Sequence, residues 1–197
     1  MVASPAVNHL TPEDYLEGEK KSFVKHEYVR GEVYAMAGAS RTHITIAGNL
    51  YSRLRTHCRG TGCQAYIADM KVDIEAADVF YYPDVVVSCD NRDRQFDYFQ
   101  RHPCLVVEVL SDSTERLDRG DKFANYRQLE SLQEYVLVSQ KQQSVELFRR
   151  DRDGYWKLYP HQGGDNIELT SIGFRCAIAD LYEDVEFAPD EAEAKLN

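Results

Sequence analysis

Three stretches of the chain predict helices, two of them from apolar residues at helical spacing. The first is residues 12 to 20, PEDYLEGEK, which Thr11 can begin as the N-cap with Pro12 at the first helical position. The second is GASRTHITIAGNLYSRLRTHC, with Ser40 as a plausible N-cap and apolar residues at Ile44, Ala47, Leu50, Leu54 and Cys58. The third is RLDRGDKFANYRQLES, with Phe123, Tyr126 and Leu129 at helical spacing.

The segments between these helices read as strands. EYVRGEVYAM, 27 to 36, predicts a hairpin that turns at Arg30-Gly31. QAYIADMKVDIE, 64 to 75, predicts one strand, and the apolar runs of YYPDVVVSC and CLVVEVLS predict central strands. EYVLVS, SVELFRR and YWKLYP predict three more strands, separated by QKQQ and RDRDG turns. The pattern is that of an α/β or α+β fold, with a mixed central sheet, flanking helices, an N-terminal hairpin and extra C-terminal strands.

The composition fits one globular domain over residues 1–197. Hydrophobic residues make up 43% of the chain and charged residues 28%, values typical of such domains. We see no internal repeat, no long linker and no apolar run that could span a membrane. The first residues, MVASPAVNHLTPEDY, lack the pattern of a secretory signal. The five cysteines are scattered and odd in number, so we expect free thiols and a cytoplasmic location.

The net charge of −10 speaks against a protein that coats nucleic acid without specificity. Much of the excess acid lies in the tail from about residue 180, DLYEDVEFAPDEAEAKLN. We expect this tail to act as a solubilising or oligomer-contacting end. Basic residues cluster locally elsewhere, and a locally positive cleft can still hold a short duplex.

Two carboxylates carry the candidate chemistry. Glu108 interrupts the apolar strand CLVVEVLS, where an unpaired buried charge costs several kcal/mol. Asp84 opens the apolar run of YYPDVVVS. Side chains alternate along strands, so the two carboxylates converge if these strands pair.

Two such groups at one site repel each other unless they share a proton or a divalent cation. Oxygen ligands favour a hard ion such as Mg²⁺ or Mn²⁺. Taken singly, either residue is more often structural.

Lys122, in DRGDKFANY, supplies a cation on the helix after the Glu108 strand. Beside two metal-binding carboxylates, it could orient a water or stabilise charge on a phosphate. The alternative is an exposed helical lysine that pairs with Asp118. Other catalytic signatures are weaker: the Cys58 and Cys63 region lacks a second pair for zinc, and we find no nucleophile motif and no phosphate-binding glycine loop.

These residues carry a family resemblance. The Asp84–Glu108 pair resembles the PD-(D/E)xK nuclease superfamily, which has the restriction endonuclease-like fold. More specifically, YYPDVVVSCD, PCLVVEVLSDSTERLDRGDKFANYR and LQEYVLVS resemble the Uma-two family of putative restriction endonucleases. The resemblance is dense from about Tyr81 to Ser139 and looser over most of the chain. It implies that Asp84 and Glu108 bind Mg²⁺ or Mn²⁺, with the Val109 carbonyl as a third ligand.

The chain departs from the superfamily pattern at two places. The lysine usually stands two residues after the second acid, where this chain has Leu110, so the resemblance implies that Lys122 takes its place. Many members also carry a glutamate on the helix before the first core strand, and the helix from His43 to Cys58 has no acid. Glu32, after the hairpin turn, is a candidate substitute, and His43 is a second one.

The sequence therefore predicts a metal-dependent endonuclease that hydrolyses DNA, with RNA left open. Arg116 and Arg119 would contact flanking phosphates. A twofold homodimer is expected, since cutting both strands of a duplex needs two sites. Two alternatives stay open. One is a catalytically silent nucleic-acid-binding or assembly module with the same fold, and the other is a hydrolase acting on another phosphodiester.

Overall fold

The computed structural model describes residues 9–187 of the chain. Its α-helices are α1 (Pro12–Glu19), α2 (Arg41–His57), α3 (Glu115–Leu117) and α4 (Phe123–Tyr126), and a π-helical turn, Asp118–Lys122, joins the last two. Its 3₁₀ turns are Glu75–Ala77, Asn91–Gln95 and Ile178–Tyr182. Its strands are β1 (His26–Val29), β2 (Glu32–Ala35), β3 (Gln64–Ile67), β4 (Lys71–Ile74), β5 (Val79–Tyr81), β6 (Val85–Ser88), β7 (Phe99–Gln100), β8 (Pro103–Leu110), β9 (Glu134–Ser139), β10 (Ser144–Arg150), β11 (Trp156–Gln162), β12 (Asn166–Leu169) and β13 (Phe174–Ala177).

A six-stranded mixed sheet forms the centre of the fold. Its strand order is β11-β10-β9-β8-β6-β3. β8 and β9 are parallel, and their neighbours pair antiparallel. A smaller sheet has the order β2-β1-β5-β4-β7, and within residues 9–187 β12 pairs only with β13. The predicted mixed α+β architecture, with its N-terminal hairpin and extra C-terminal strands, is confirmed.

Both faces of the central sheet are covered, which explains the continuous apolar runs of β6 and β8. On one face, Ile46 and Leu54 of α2 pack with Val107 of β8 and Leu169 of β12. On the other face, residues of β6 and β8 pack against α4 and the inner face of the smaller sheet. α1 covers the outer face of that smaller sheet, where Tyr15 packs on Tyr28 and Phe80.

The predicted helix starts are confirmed. Thr11 Oγ1 accepts a hydrogen bond from the Asp14 N–H at 3.1 Å, and Ser40 Oγ accepts one from the His43 N–H at 3.1 Å. Each bond satisfies an N–H that has no partner inside its helix. The cap at Ser40 fixes where α2 begins and therefore the position of His43.

Two segments predicted as single strands are each divided between the two sheets. The 64–75 segment breaks after β3 at Ala68, which has a φ of 58°, and resumes as β4 in the smaller sheet. The YYPDVVVSC segment breaks around Pro83-Asp84, so that β5 lies in the smaller sheet and β6 in the central one. A uniform apolar pattern does not reveal such a change of sheet, because both halves are buried. The break leaves Asp84 at the junction of the two sheets.

Three further features differ from the sequence-based expectations or limit them. Cys63 and Cys89 form a disulfide, because pairing of β3 with β6 sets Gln64 opposite Ser88 and brings the flanking cysteines together. The expectation of free thiols is therefore wrong for this pair.

The acidic segment from 180 is packed as far as residue 187. Within it, Tyr182 is buried and Glu183 pairs with Arg53. Residues 188–197 lie outside the described residues.

Within residues 9–187, no helix is both long and apolar enough to cross a membrane.

Candidate active site

The register of β6 and β8 brings the two predicted carboxylates together. Val85 pairs with Val107 and Val86 with Val106, so Asp84 meets Glu108 at the end of the ladder. The Asp84 N–H donates to Glu108 Oε2 at 3.3 Å, and the Val109 N–H donates to Asp84 Oδ2 at 2.7 Å. Each carboxylate is thus held by the backbone of the other strand. The predicted convergence is present in the structure.

Glu108 lies in the buried interior, only 3% exposed, with few partners for its charge. Its Oε1 accepts a hydrogen bond from the Tyr126 hydroxyl at 3.3 Å and lies 3.5 Å from Lys122 Nζ. Burial raises the pKa of Glu108 well above its usual range, and the nearby carboxylates add to this while Lys122 opposes it. A proton or a further cation at this carboxylate would offset the cost of burying its charge.

Lys122 turns inward at the end of the π-helical turn and is 5% exposed. Its Nζ lies 2.8 Å from Glu27 Oε1, 3.5 Å from Glu108 Oε1 and 3.5 Å from Asp118 Oδ1. Burial alone would lower the pKa of Lys122, but the three carboxylates raise it above its usual value. The alternative of an exposed helical lysine is therefore wrong, because Lys122 is buried. The contact with Asp118 that this alternative predicted is nevertheless present.

Glu27 is the residue that sequence reasoning missed. It lies on β1 on the same face as Val29, and it is 8% exposed. Its Oε1 contacts Lys122 and also accepts the Tyr82 N–H at 3.3 Å. The hairpin does fold over the site as expected, but the acid that it contributes is Glu27. Glu32, the predicted candidate, lies on the exposed strand β2 and accepts a hydrogen bond from the Tyr34 hydroxyl.

A weak signal for Glu27 was available in the sequence. Glu27 and Val29 share one face of their strand, so an inward Val29 requires an inward Glu27. The other face of β1 carries Tyr28, which is as suited to burial as Val29. The pattern alone therefore does not decide which face of the strand lies against the site. Both faces prove to be covered, Tyr28 by α1 and Glu27 by the helical segment that carries Lys122.

His43, the second accessory candidate, reaches the site from the first turn of α2. Its Nε2 lies 2.8 Å from Asp84 Oδ1. Asp84 is therefore oriented from two sides, by the imidazole on one oxygen and by the Val109 N–H on the other. Each carboxylate oxygen has a second lone pair that can still accept a ligand.

The donor set suits a hard cation that binds few protein ligands. Among residues 9–187, no three His, Cys, Asp or Glu side chains are arranged to hold a metal ion. Side chains alone would therefore supply about two ligands, Asp84 and Glu108, with backbone, water or substrate completing the shell. Mg²⁺ commonly binds in this way, through one or two carboxylates with several waters retained. A zinc site, with four closed protein ligands, does not fit.

Two backbone and side-chain groups add acceptor capacity at the same place. In a strand, the N–H and C=O of one residue point to the same side, and the Val109 N–H points to Asp84. The Val109 carbonyl therefore faces the same edge. Asp118 Oδ1 is buried without a hydrogen-bond partner in the described structure, and burial raises the pKa of Asp118. The Lys122 ammonium lies 3.5 Å from this oxygen as an ion-pair partner, and the oxygen can still accept a hydrogen bond.

A polar groove of about 440 Å³ runs from the end of β8 past α3 to the β9–β10 turn. Arg119 lines this groove but is already paired, with Glu115 Oε1 at 2.8 Å and Glu146 Oε2 at 2.6 Å. Arg116 is exposed on α3 and has no ion pair within the described part of the chain. Of the two predicted phosphate contacts, Arg116 is the more available.

Comparison with known proteins gives a consistent family assignment. A family model described as Uma2, putative restriction endonuclease, matches residues 12–179. An uncharacterized protein of Synechocystis sp. is 41% identical over 178 residues, covering 90% of this chain and 94% of the relative. A second uncharacterized protein of the same organism is 32% identical over 163 residues, covering 81% and 91%.

A solved structure shares the fold. The crystal structure of a putative nuclease belonging to DUF820 from Anabaena variabilis superposes with a TM-score of 0.71 at 15% sequence identity. The match covers 88% of this chain and 98% of that one. At this identity, the likeness concerns the fold, which is the one that the sequence predicts.

Proposed function

The chain belongs to the Uma2 family of putative restriction endonucleases, and we propose that it is a metal-dependent nuclease that hydrolyses phosphodiester bonds in DNA. One observation carries the proposal. Asp84 and Glu108 meet across adjacent central strands, with a buried lysine 3.5 Å from the second carboxylate. A purely structural role would not require Glu108 and Lys122 to be buried together beside Asp84, because burying charges costs several kcal/mol per ion.

Asp84 and Glu108 would hold Mg²⁺ or Mn²⁺, together with the Val109 carbonyl. When bound, such an ion lowers the pKa of a water and neutralises charge on a phosphate oxygen. His43 and the Val109 N–H orient Asp84 for this task. Tyr126 orients Glu108 through its hydroxyl.

Lys122 would serve as a fixed cation. Its ammonium is held by three carboxylates, so it is suited to stabilise negative charge on the phosphate in the transition state. Glu27 would act as a positioning residue for Lys122. Arg116 and Arg119 would position flanking phosphates, which fixes the register of the substrate without reading its sequence.

We propose a homodimer for this activity, and the cytoplasmic location now rests on the scattered free thiols of Cys58, Cys104 and Cys176, since Cys63 and Cys89 form a disulfide. Two copies related by a twofold axis would present two such sites to the two strands of a duplex. Size-exclusion chromatography with light scattering measures the state directly. A monomer at working concentration would remove the dimer from the proposal without affecting the site.

Cleavage of plasmid and oligonucleotide DNA in Mg²⁺ or Mn²⁺ tests the proposal. The native chain should cut, and Asp84→Asn and Glu108→Gln should each lose about 10²-fold or more of the rate. Glu32→Gln is the matched control, because Glu32 is an exposed acid on the same hairpin. A chain that cuts no DNA or RNA, or cuts equally well in both site variants, would contradict the proposal and favour the silent binding module.

A further inference from the structure

The hairpin presents a row of side chains on the face that carries Glu27. β1 and β2 pair with Glu27 opposite Tyr34, so the Tyr34 ring lies on the same face as the carboxylate that holds Lys122. The pairing continues past the strand ends, since the Met36 N–H donates to the Lys25 carbonyl at 2.8 Å. Alternation places Lys25 on this face as well. An aromatic ring and a cation thus flank Glu27.

Tyr34 presents its ring to the solvent at this position. It is 52% exposed, and within residues 9–187 its ring contacts no other aromatic ring and no cation. Its hydroxyl donates to Glu32, its neighbour on the same face of β2. That bond involves only the edge of the ring and leaves its faces open.

Lys25 lies beside the Asp84 end of the site. Its Nζ is 2.7 Å from Asp69 Oδ1, and the Ala68 N–H next to Asp69 donates to the Asp84 carbonyl at 3.0 Å. The Lys25 side chain is 44% exposed and that of Asp69 is 84% exposed. An exposed pair of this kind contributes little. Lys25 can therefore exchange Asp69 for a phosphate at small cost.

The negative net charge of the chain disfavours an intact duplex as the ligand of this face of the hairpin. Duplex binding draws its affinity from many neutralised phosphates, and the chain has a net charge of −10. Of the two arginines proposed above to contact phosphates, Arg119 is already held by Glu115 and Glu146. Stacking of a base on an aromatic ring needs no net positive charge, and every base has a face that can stack.

We infer that the site takes a single-stranded segment of nucleic acid, with one unpaired base stacked on Tyr34 and an adjacent phosphate paired with Lys25. This inference rests on the proposed function and replaces the duplex considered there for a twofold dimer with an unpaired strand as the substrate. It also gives the exposed strand β2 a role, because the single-stranded nucleic acid would then lie against the hairpin.

Binding of oligonucleotides that contain 2-aminopurine, in EDTA to prevent cleavage, tests the inference. The native chain and Tyr34→Phe should quench 2-aminopurine fluorescence on binding a single strand, because stacking quenches this base. Tyr34→Ala should abolish the quenching and weaken binding by about 10- to 100-fold. Tyr155→Ala is the matched control, since Tyr155 is exposed on a different turn of the chain. Circular dichroism verifies that each variant is folded.

Lys25→Gln probes the phosphate contact. Removing one phosphate contact to a single strand should reduce the slope of log affinity against log salt by roughly 0.7. The inference is overturned if Tyr34→Ala binds and quenches like the native chain. It is also overturned if a duplex of the same sequence binds as tightly as the single strand, or if neither form binds.

The outcomes separate this inference from the proposed function. Quenched binding without cleavage in Mg²⁺ or Mn²⁺ would contradict the nuclease proposal alone. Cleavage of duplex that is indifferent to Tyr34→Ala would contradict the single-strand inference alone.

Discussion

Lys122 Nζ lies 2.8 Å from Glu27 Oε1, and this contact ties the helical segment after β8 to the N-terminal hairpin. The same ammonium lies 3.5 Å from Glu108 on the central sheet. Three distant parts of the chain therefore meet at one buried cation. Because these charges are desolvated, each depends on the others for its stability.

Glu27→Gln should reduce DNA cleavage, because the amide keeps the shape of the side chain but no longer holds the Lys122 ammonium by charge. A loss of about 10-fold or more in the rate is expected for a positioning group. Steady-state cleavage should show the loss in kcat more than in KM. Glu32→Gln, on the exposed strand of the same hairpin, should leave both unchanged. Equal effects of the two variants would contradict the assignment of Glu27.

Lys122→Met should destabilise the fold, because it leaves Glu27, Glu108 and Asp118 close together without their shared cation. Removing one partner from a buried ionic group typically costs about 3–5 kcal/mol. Urea unfolding at neutral pH measures the change. The double variant Lys122→Met with Glu27→Gln should lose less than the sum of the single losses, because the two residues are in contact. Strict additivity would count against direct coupling.

The sequence predicts the parts of the site that lie on adjacent strands. The apolar runs around Asp84 and Glu108 identify central strands, and alternation then fixes the face of Glu108, whereas Asp84 lies just before its strand begins. It also indicates Lys122, although only the π-helical turn explains how this lysine points inward. Local pattern does not reveal Glu27, because contact between the hairpin and the helical segment depends on how two sheets pack.

The change of sheet at Asp84 shows the same limit. YYPDVVVSC reads as one strand because both of its halves are buried and apolar. Only the surrounding structure distinguishes β5, which pairs with β1 and β4, from β6, which pairs with β3 and β8. Pro83 marks the break, and a proline is compatible with either a strand edge or a turn. The disulfide between Cys63 and Cys89 likewise depends on a strand pairing that spacing does not encode.

Glu134 provides a structural contrast to Glu108. It is fully buried on β9, and its carboxylate accepts hydrogen bonds from Arg149 Nε at 2.8 Å, the Thr170 N–H at 3.1 Å and the Ser171 N–H at 3.0 Å. Glu134→Ala should therefore cost about 3–5 kcal/mol in the free energy of unfolding. Cleavage by the folded fraction should persist, and Glu130→Ala, at a nearby exposed acid, should be neutral. A loss of cleavage at retained stability would contradict a structural role.

Asp73 should make the stability depend on pH. Burial raises its pKa to about 6 from a usual value of 3.8, even though Arg101 Nε lies 2.8 Å away and opposes the shift. Between pH 3.8 and about pH 6, the Asp73 carboxyl is therefore protonated in the native state and ionised in the unfolded state. The stabilisation is complete below the unfolded pKa and is lost as pH rises through the folded pKa. It amounts to about 3 kcal/mol.

Denaturant unfolding of the native chain and Asp73→Asn at about pH 4 and about pH 7 measures this contribution. The native chain should lose stability relative to the variant as pH rises, since the amide does not titrate. Parallel pH profiles would show that Asp73 ionises as easily in the folded chain as in the unfolded one.

The central claim is that Asp84 and Glu108 form a divalent-cation site. Calorimetric titration of Mn²⁺ into the purified native chain tests it most directly, with Asp84→Asn, Glu108→Gln and the control Glu32→Gln measured beside it. We expect binding by the native chain and by Glu32→Gln, and loss of that binding in both site variants. Absence of Mn²⁺ binding by the native chain, or equal binding by all four proteins, would contradict it.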